Sequence, residues 1–145
     1  MTTSTSTWWG IAVAVTFLWL GMVLAISCLE APLKFRAPNV TLPIGLGIGR
    51  LVFRALNAVE VVCALVLAVA IGCGATCPQA TGALVVAFAA LALQIIAVRP
   101  RLNRRSDLVL AGLEAPRSRA HHAYVALEVV KVLALLAAGM TLLFH

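Results

Sequence analysis

Four long apolar runs separated by polar connections account for most of this chain, at about residues 8–29, 46–72, 79–98 and 120–144. Each is near the roughly 20 residues that cross about 30 Å of hydrocarbon as a helix. None alternates polar and apolar residues as a barrel strand does, and lipid tolerates no unpaired backbone polar groups. The pattern therefore predicts four transmembrane helices. The connections are short except for residues 99–119, so one domain is expected, an all-α integral membrane protein built as a four-helix bundle. The long connection reads as a basic cytoplasmic loop. Its favoured reading is a plain positive-inside anchor; the alternative is a short amphipathic helix capped by Ser106 and running to Gly112, with Asp107 in its first turn and Arg101, Arg104 and Arg105 at the lipid headgroups.

Composition agrees with the pattern. Of 145 residues, 63% are hydrophobic and 11% charged, against about half and a quarter in soluble domains. Lysines and arginines lie in or beside the first and third connections, or in the helices that leave them. The N-terminal tail, the turn GCGATCP and the final TLLFH carry no charged side chain. The positive-inside rule then places both basic connections in the cytoplasm and both termini outside, with Trp8 and Trp9 at the outer interface. A bacterial inner membrane is the expected location. The net charge of +6 fits this asymmetry and contact with anionic headgroups, not a nucleic-acid partner. The first run lacks a basic n-region and is longer than a typical signal-peptide core, so it is expected to stay as a span.

Charge inside the runs is costly, about 2.5–3.5 kcal/mol per group at mid-bilayer on insertion scales, and marks candidate function. In GRLVFRALNAVEVV, residues Arg50, Arg54, Asn57 and Glu60 recur at spacings of four, three and three, which puts them on one side of a helix. In HHAYVALEVVKVLALL, His121, Tyr124, Glu128 and Lys131 follow three, four and three. The first and third runs carry no charge; Gln94 is the most polar residue of the third. The second and fourth helices are therefore expected to turn these faces toward each other or toward a shared chamber. Arg50, Arg54, Asn57, Glu60, Tyr124, Glu128 and Lys131 are the candidate ligand-binding residues. Arg50, Arg54 and Lys131 outnumber Glu60 and Glu128, which suits a small anionic or carboxylate ligand. The bland alternative is a set of ion pairs that hold the bundle together.

Other motifs qualify this picture. In LPIGLGIGR, three alternate glycines before Arg50 form either a backbone nest for an anion or a surface for close helix approach. Leu-Glu-Ala-Pro occurs twice, at residues 29–32 and 113–116. Proline disfavours helical geometry in the residue before it, so each copy is expected to end a segment at the cytoplasmic face. Glu30, Glu114, Arg117 and His121 would form a gate or rim, and the duplication suggests two hairpins in a parallel repeat. Cys73 and Cys77 bracket an outer turn, where they either form a disulfide or serve as small turn residues. No histidine or carboxylate accompanies them, so no metal site is expected.

The phrases LEAPLKFRAP, LPIGLGIGRLVFRALNAVE and HHAYVALEVVK resemble those of small bacterial four-helix membrane proteins of unknown function. RALNAVE, with Arg54, Asn57 and Glu60, more faintly resembles a glutathione-binding motif of the MAPEG superfamily, trimeric membrane enzymes of similar length. Here the Arg-to-Asn spacing is one residue short, and the third run ends in QIIAVRP without that family's tyrosine. The resemblance implies a glutathione-dependent enzyme as an alternative; otherwise no catalytic residue and no cofactor is expected. The favoured expectation is a homo-oligomeric binding or transport protein. An accessory subunit that contacts a membrane-protein partner is a further alternative.

Overall fold

The computed structural model describes the backbone of residues 2–75, 77–113 and 119–144, and all regular structure among them is helical. Helix α1 (Thr2–Leu24) passes through a π-helical segment (Ala25–Glu30) and a further turn (Ala31–Leu33) into a 3-10 turn (Lys34–Arg36). Helix α2 is Leu42–Gly72. Helix α3 (Pro78–Leu93) continues through a second π segment (Gln94–Val98) into α4 (Arg99–Leu110), and α5 is Arg119–Phe144. Four helical stretches are long and apolar enough to cross a membrane: Thr5–Arg36, Leu42–Gly72, Pro78–Leu110 and His121–Phe144.

Buried positions recur with alternating steps of four and three. On α1 they are Ala12, Thr16, Trp19 and Val23; on α2, Leu56, Glu60, Cys63, Leu67 and Ala70. The third span buries Ala80, Leu84, Ala87, Leu91, Gln94 and Val98, and α5 buries Tyr124, Glu128, Lys131, Leu135, Ala138 and Leu142. This is the 3.5-residue seam of helices packing at shallow angles. Lipid supplies no hydrophobic drive between helices, so small residues in the seam let backbones approach. Gly139 shows this directly, since a Cβ there would lie 2.7 Å from the Phe17 ring. The most extensive packing is α3 on α5, followed by α1 on α2 and α1 on α5, while α2 meets α3 only lightly. Thus α2 and α5 lie across the bundle from each other.

Two prolines explain the π segments. A proline inside a helix lacks its N–H and its ring clashes with the carbonyl four residues back. For Pro32 and Pro100 those carbonyls belong to Cys28 and Ile96, each inside a π segment. The residue before each proline bonds five residues back, Ala31 N–H to the Ile26 carbonyl and Arg99 N–H to that of Gln94. The widened turn carries the helix past the proline.

Two expectations are corrected by this. The first Leu-Glu-Ala-Pro does not stop its helix, which runs on to Arg36. Residues 99–110 are not a loop with a helix starting at Ser106; they extend the third span, with Ser106 and Asp107 well inside α4. Gly112, at φ 76°, closes that helix with Leu113 N–H on the Leu108 carbonyl and its own N–H on Val109. This double bond pattern terminates helices where glycine supplies the left-handed residue. The Gly74 turn repeats it, with Ala75 N–H on Ala70 and Gly74 N–H on Ile71.

The alternate glycines lie within α2, and the Gly45 N–H already bonds the Thr41 carbonyl. Gly45 lies under the Phe35 ring and Gly49 under the Lys34 ammonium, so they permit close approach and form no anion nest.

Candidate functional site

Lys131 lies at the centre of the bundle with no exposed surface. An ammonium has three protons to donate, and three acceptors from three spans surround it. It forms an ion pair with Glu60 of α2 and another with Glu128 of its own helix at 3.1 Å, and it donates to Gln94 Oε1 at 2.8 Å. Each carboxylate is held by further donors. Trp19 Nε1 donates to Glu60 Oε1 at 3.0 Å, and Ser27 Oγ donates to Glu128 Oε1 at 2.8 Å. Gln94 Nε2 donates to Glu128 Oε2 at 2.5 Å. Asn57, with its amide oriented by the bonds it can make, donates to Glu60 Oε2 at 3.1 Å and accepts from Arg99 at 3.0 Å. All four spans contribute. Burying charges costs several kcal/mol per ion unless partners satisfy them, and here every charged atom of the triad is satisfied.

Local structure accounts for these positions. Glu60, Gln94, Glu128 and Lys131 occupy the inward seam of their helices, in register with buried Leu56, Cys63, Leu91, Val98 and Leu135. Ser27 and Gln94 belong to the two π segments, so the proline-induced widening sets the side chains that bind Glu128. Such segments occur often at functional sites.

Next to this network a cavity of about 470 Å³ opens at the end of the bundle that carries the basic residues. It lies between the end of the first span, the start of α2, α4 and the start of α5. Ser27 and Tyr124 line it, and so link it to Glu128, through the Ser27 hydroxyl and the contact of Gln94 Nε2 with the Tyr124 carbonyl at 3.4 Å. The Tyr124 ring meets Phe53 edge to face at 5.5 Å between centroids. Tyr124 is only 7% exposed, and its hydroxyl has no hydrogen-bond partner among the described residues.

Cations also line the cavity. Lys34 sits over the rings of Phe35 and Phe53 at 5.6 and 5.4 Å and pairs with Glu30 at 3.4 Å. Arg50 pairs with Asp107 of α4 at 2.5 Å. Arg99 reaches Asn57 and has no carboxylate partner among the described residues.

The structure thus brings together Asn57, Glu60, Glu128 and Lys131, with Arg50, Tyr124 and His121 on the adjoining cavity. Arg54 is exposed and belongs neither to the network nor to the cavity lining, although its charge lies within electrostatic reach of Arg99. Glu30 pairs with Lys34 of the cavity wall and does not itself line the cavity; Glu114 and Arg117 lie outside the described residues. Trp19, Ser27, Gln94 and Arg99 were not anticipated. For Gln94 a signal existed, since it continues the four-three spacing of Leu84, Ala87 and Leu91. All four cysteines are free thiols, Cys73 exposed and Cys77 buried, and the Cys77 thiol donates to Gln79 Oε1 at 3.4 Å. Among the described residues no cluster of three or more metal-ligating side chains occurs. Compared with protein-family models, curated proteins and solved structures, the chain matches none.

Proposed function

We propose that this protein binds or transports a small anionic ligand, with a carboxylate the favoured group, through a cavity that faces the cytoplasm of a bacterial inner membrane. Both termini then lie outside, in agreement with the clustering of lysines and arginines at the cavity end and the positive-inside rule. The protein acts as a homo-oligomer, and the many apolar side chains on the outer faces of its helices meet lipid or a second copy. The observation that carries the proposal is the buried Glu60–Lys131–Glu128 triad directly beside a cavity lined by further cations. Two carboxylates face one ammonium, so the triad holds a formal charge of −1 unless one proton joins it. A network with that spare charge suits a proton relay or a switch coupled to the ligand. Arg50 and Arg99 attract the anion, and Ser27 and Tyr124 carry its presence to Glu128.

Reconstitution in liposomes tests this. A small carboxylate such as lactate, acetate or succinate, presented with an inward or outward pH gradient, is expected to move faster through wild type than through Glu60→Gln, with both proteins folded and inserted. Equal rates in both, or no flux and no binding of any of the three, would count against the proposal.

A further inference from the structure

The cavity's composition says more about its ligand than its charge does. Its walls are mainly apolar, formed by Phe35, Leu46, Phe53, Leu102 and Val125, with Phe35 packed on Gly45. Its volume lies within the range of about 300–1,000 Å³ that is common for small-ligand sites. Among the described residues that line it, the buried side-chain group left without a partner is the Tyr124 hydroxyl. Of the lining cations, Lys34 and Arg50 are already matched by Glu30 and Asp107. Arg99 is matched only by the neutral amide of Asn57. Tyr124, nine-tenths buried, belongs to the wall of the same space, and its hydroxyl lacks an acceptor among the described residues. A buried hydroxyl without a partner has given up its hydrogen bonds to water, and a ligand oxygen would restore one.

Building on the anion-binding proposal, we infer that the cavity takes an amphiphilic monoanion, one carboxylate or phosphate group on an apolar body. One unmatched cation corresponds to one negative charge. The Arg99 guanidinium offers a planar fork for two oxygens of such a group, and the Tyr124 hydroxyl donates to one of them. The apolar body lies along Phe53, Leu46 and Leu102. The mouth stands where spans meet the membrane surface, beside the arginines of α4, and an amphiphile concentrates at that depth.

A fluorescent fatty carboxylate, 11-(dansylamino)undecanoate, tests the inference with full-length protein in phosphatidylcholine nanodiscs. Saturable binding is expected, weakened about tenfold by Tyr124→Phe and by at least as much by Arg99→Gln, with helix content unchanged by circular dichroism. Dodecanoate and dodecyl phosphate are expected to displace the probe, and their relative strength tells carboxylate from phosphate as the natural head. Dodecanol, which has the body without the charge, should not displace it. Acetate and inorganic phosphate, which have the charge without the body, should not displace it at a thousandfold excess either. Displacement by acetate or inorganic phosphate would overturn the amphiphile while leaving an anion site. Equal displacement by dodecanol, or variants that bind the probe like wild type, would overturn both.

Discussion

Lys131 and Glu60 form an ion pair across the interior of the bundle, from helices that do not pack along one another, and neither side chain is exposed. The pair therefore ties the second span to the fourth, where apolar packing does little to join them. It also sets unequal consequences for its two partners.

Removal of the lysine leaves two buried carboxylates facing each other without a cation. Lys131→Met is expected to destabilise the protein by about 3–5 kcal/mol. Glu60→Gln keeps an acceptor for Trp19 and leaves Lys131 paired with Glu128, so a loss of about 1–2 kcal/mol is expected. The double variant should be less destabilised than the sum of the two. Unfolding in mixed micelles with increasing dodecyl sulfate measures all three, and additive losses would show that the pair contributes nothing as a unit.

The indole of Trp19 is a hydrogen-bond donor to a buried carboxylate and a stacking partner for Phe88, with centroids 6.0 Å apart. Trp19→Phe retains much of the stack and removes the donor. A loss of about 1.5–3 kcal/mol is expected, the range for hydrogen bonds to charged groups. In the background of Glu60→Gln the same substitution should cost less, since the acceptor is then neutral; the same unfolding assay checks both.

Two glycines provide a matched comparison for packing. A Cβ at Gly82 meets nothing within 4 Å, whereas one at Gly139 lies 2.7 Å from the Phe17 ring. Gly82→Ala is expected to be neutral or to stabilise by up to about 1 kcal/mol through helix propensity. Gly139→Ala forces α1 away from α5 and should destabilise by about 1–3 kcal/mol. Thermal unfolding followed by circular dichroism should separate the two variants.

Cys73 is an exposed thiol in the turn after α2, and the proposed orientation puts it outside. With the other three cysteines replaced by serine or alanine, a membrane-impermeant maleimide should label it in intact spheroplasts. A cysteine placed at Ser106 should be labelled only after the membrane is opened. The reverse order would invert the topology and turn the cavity toward the outside.

Along the chain, hydropathy and charge determined the number of spans and the end where the cations gather, because the cost of charge in lipid acts on each segment separately. The two polar faces were legible for the same local reason, since spacings of three and four place residues on one side of one helix. What periodicity leaves open is the width of the inward stripe and the partners it meets. Arg54 and Glu60 share a side, yet six residues at roughly 100° each leave them about 120° apart; the stripe centred near Glu60 and Cys63 excludes Arg54. The first Leu-Glu-Ala-Pro reads as a helix stop, and only the i to i−5 bonds of the π segments carry the helices past Pro32 and Pro100. Gln94 comes from the uncharged third run, Arg99 from the basic connection after it, and Trp19 from the uncharged first run. Their place around Lys131 depends on how all four helices are rotated together, so only the tertiary structure decided which residues complete the site.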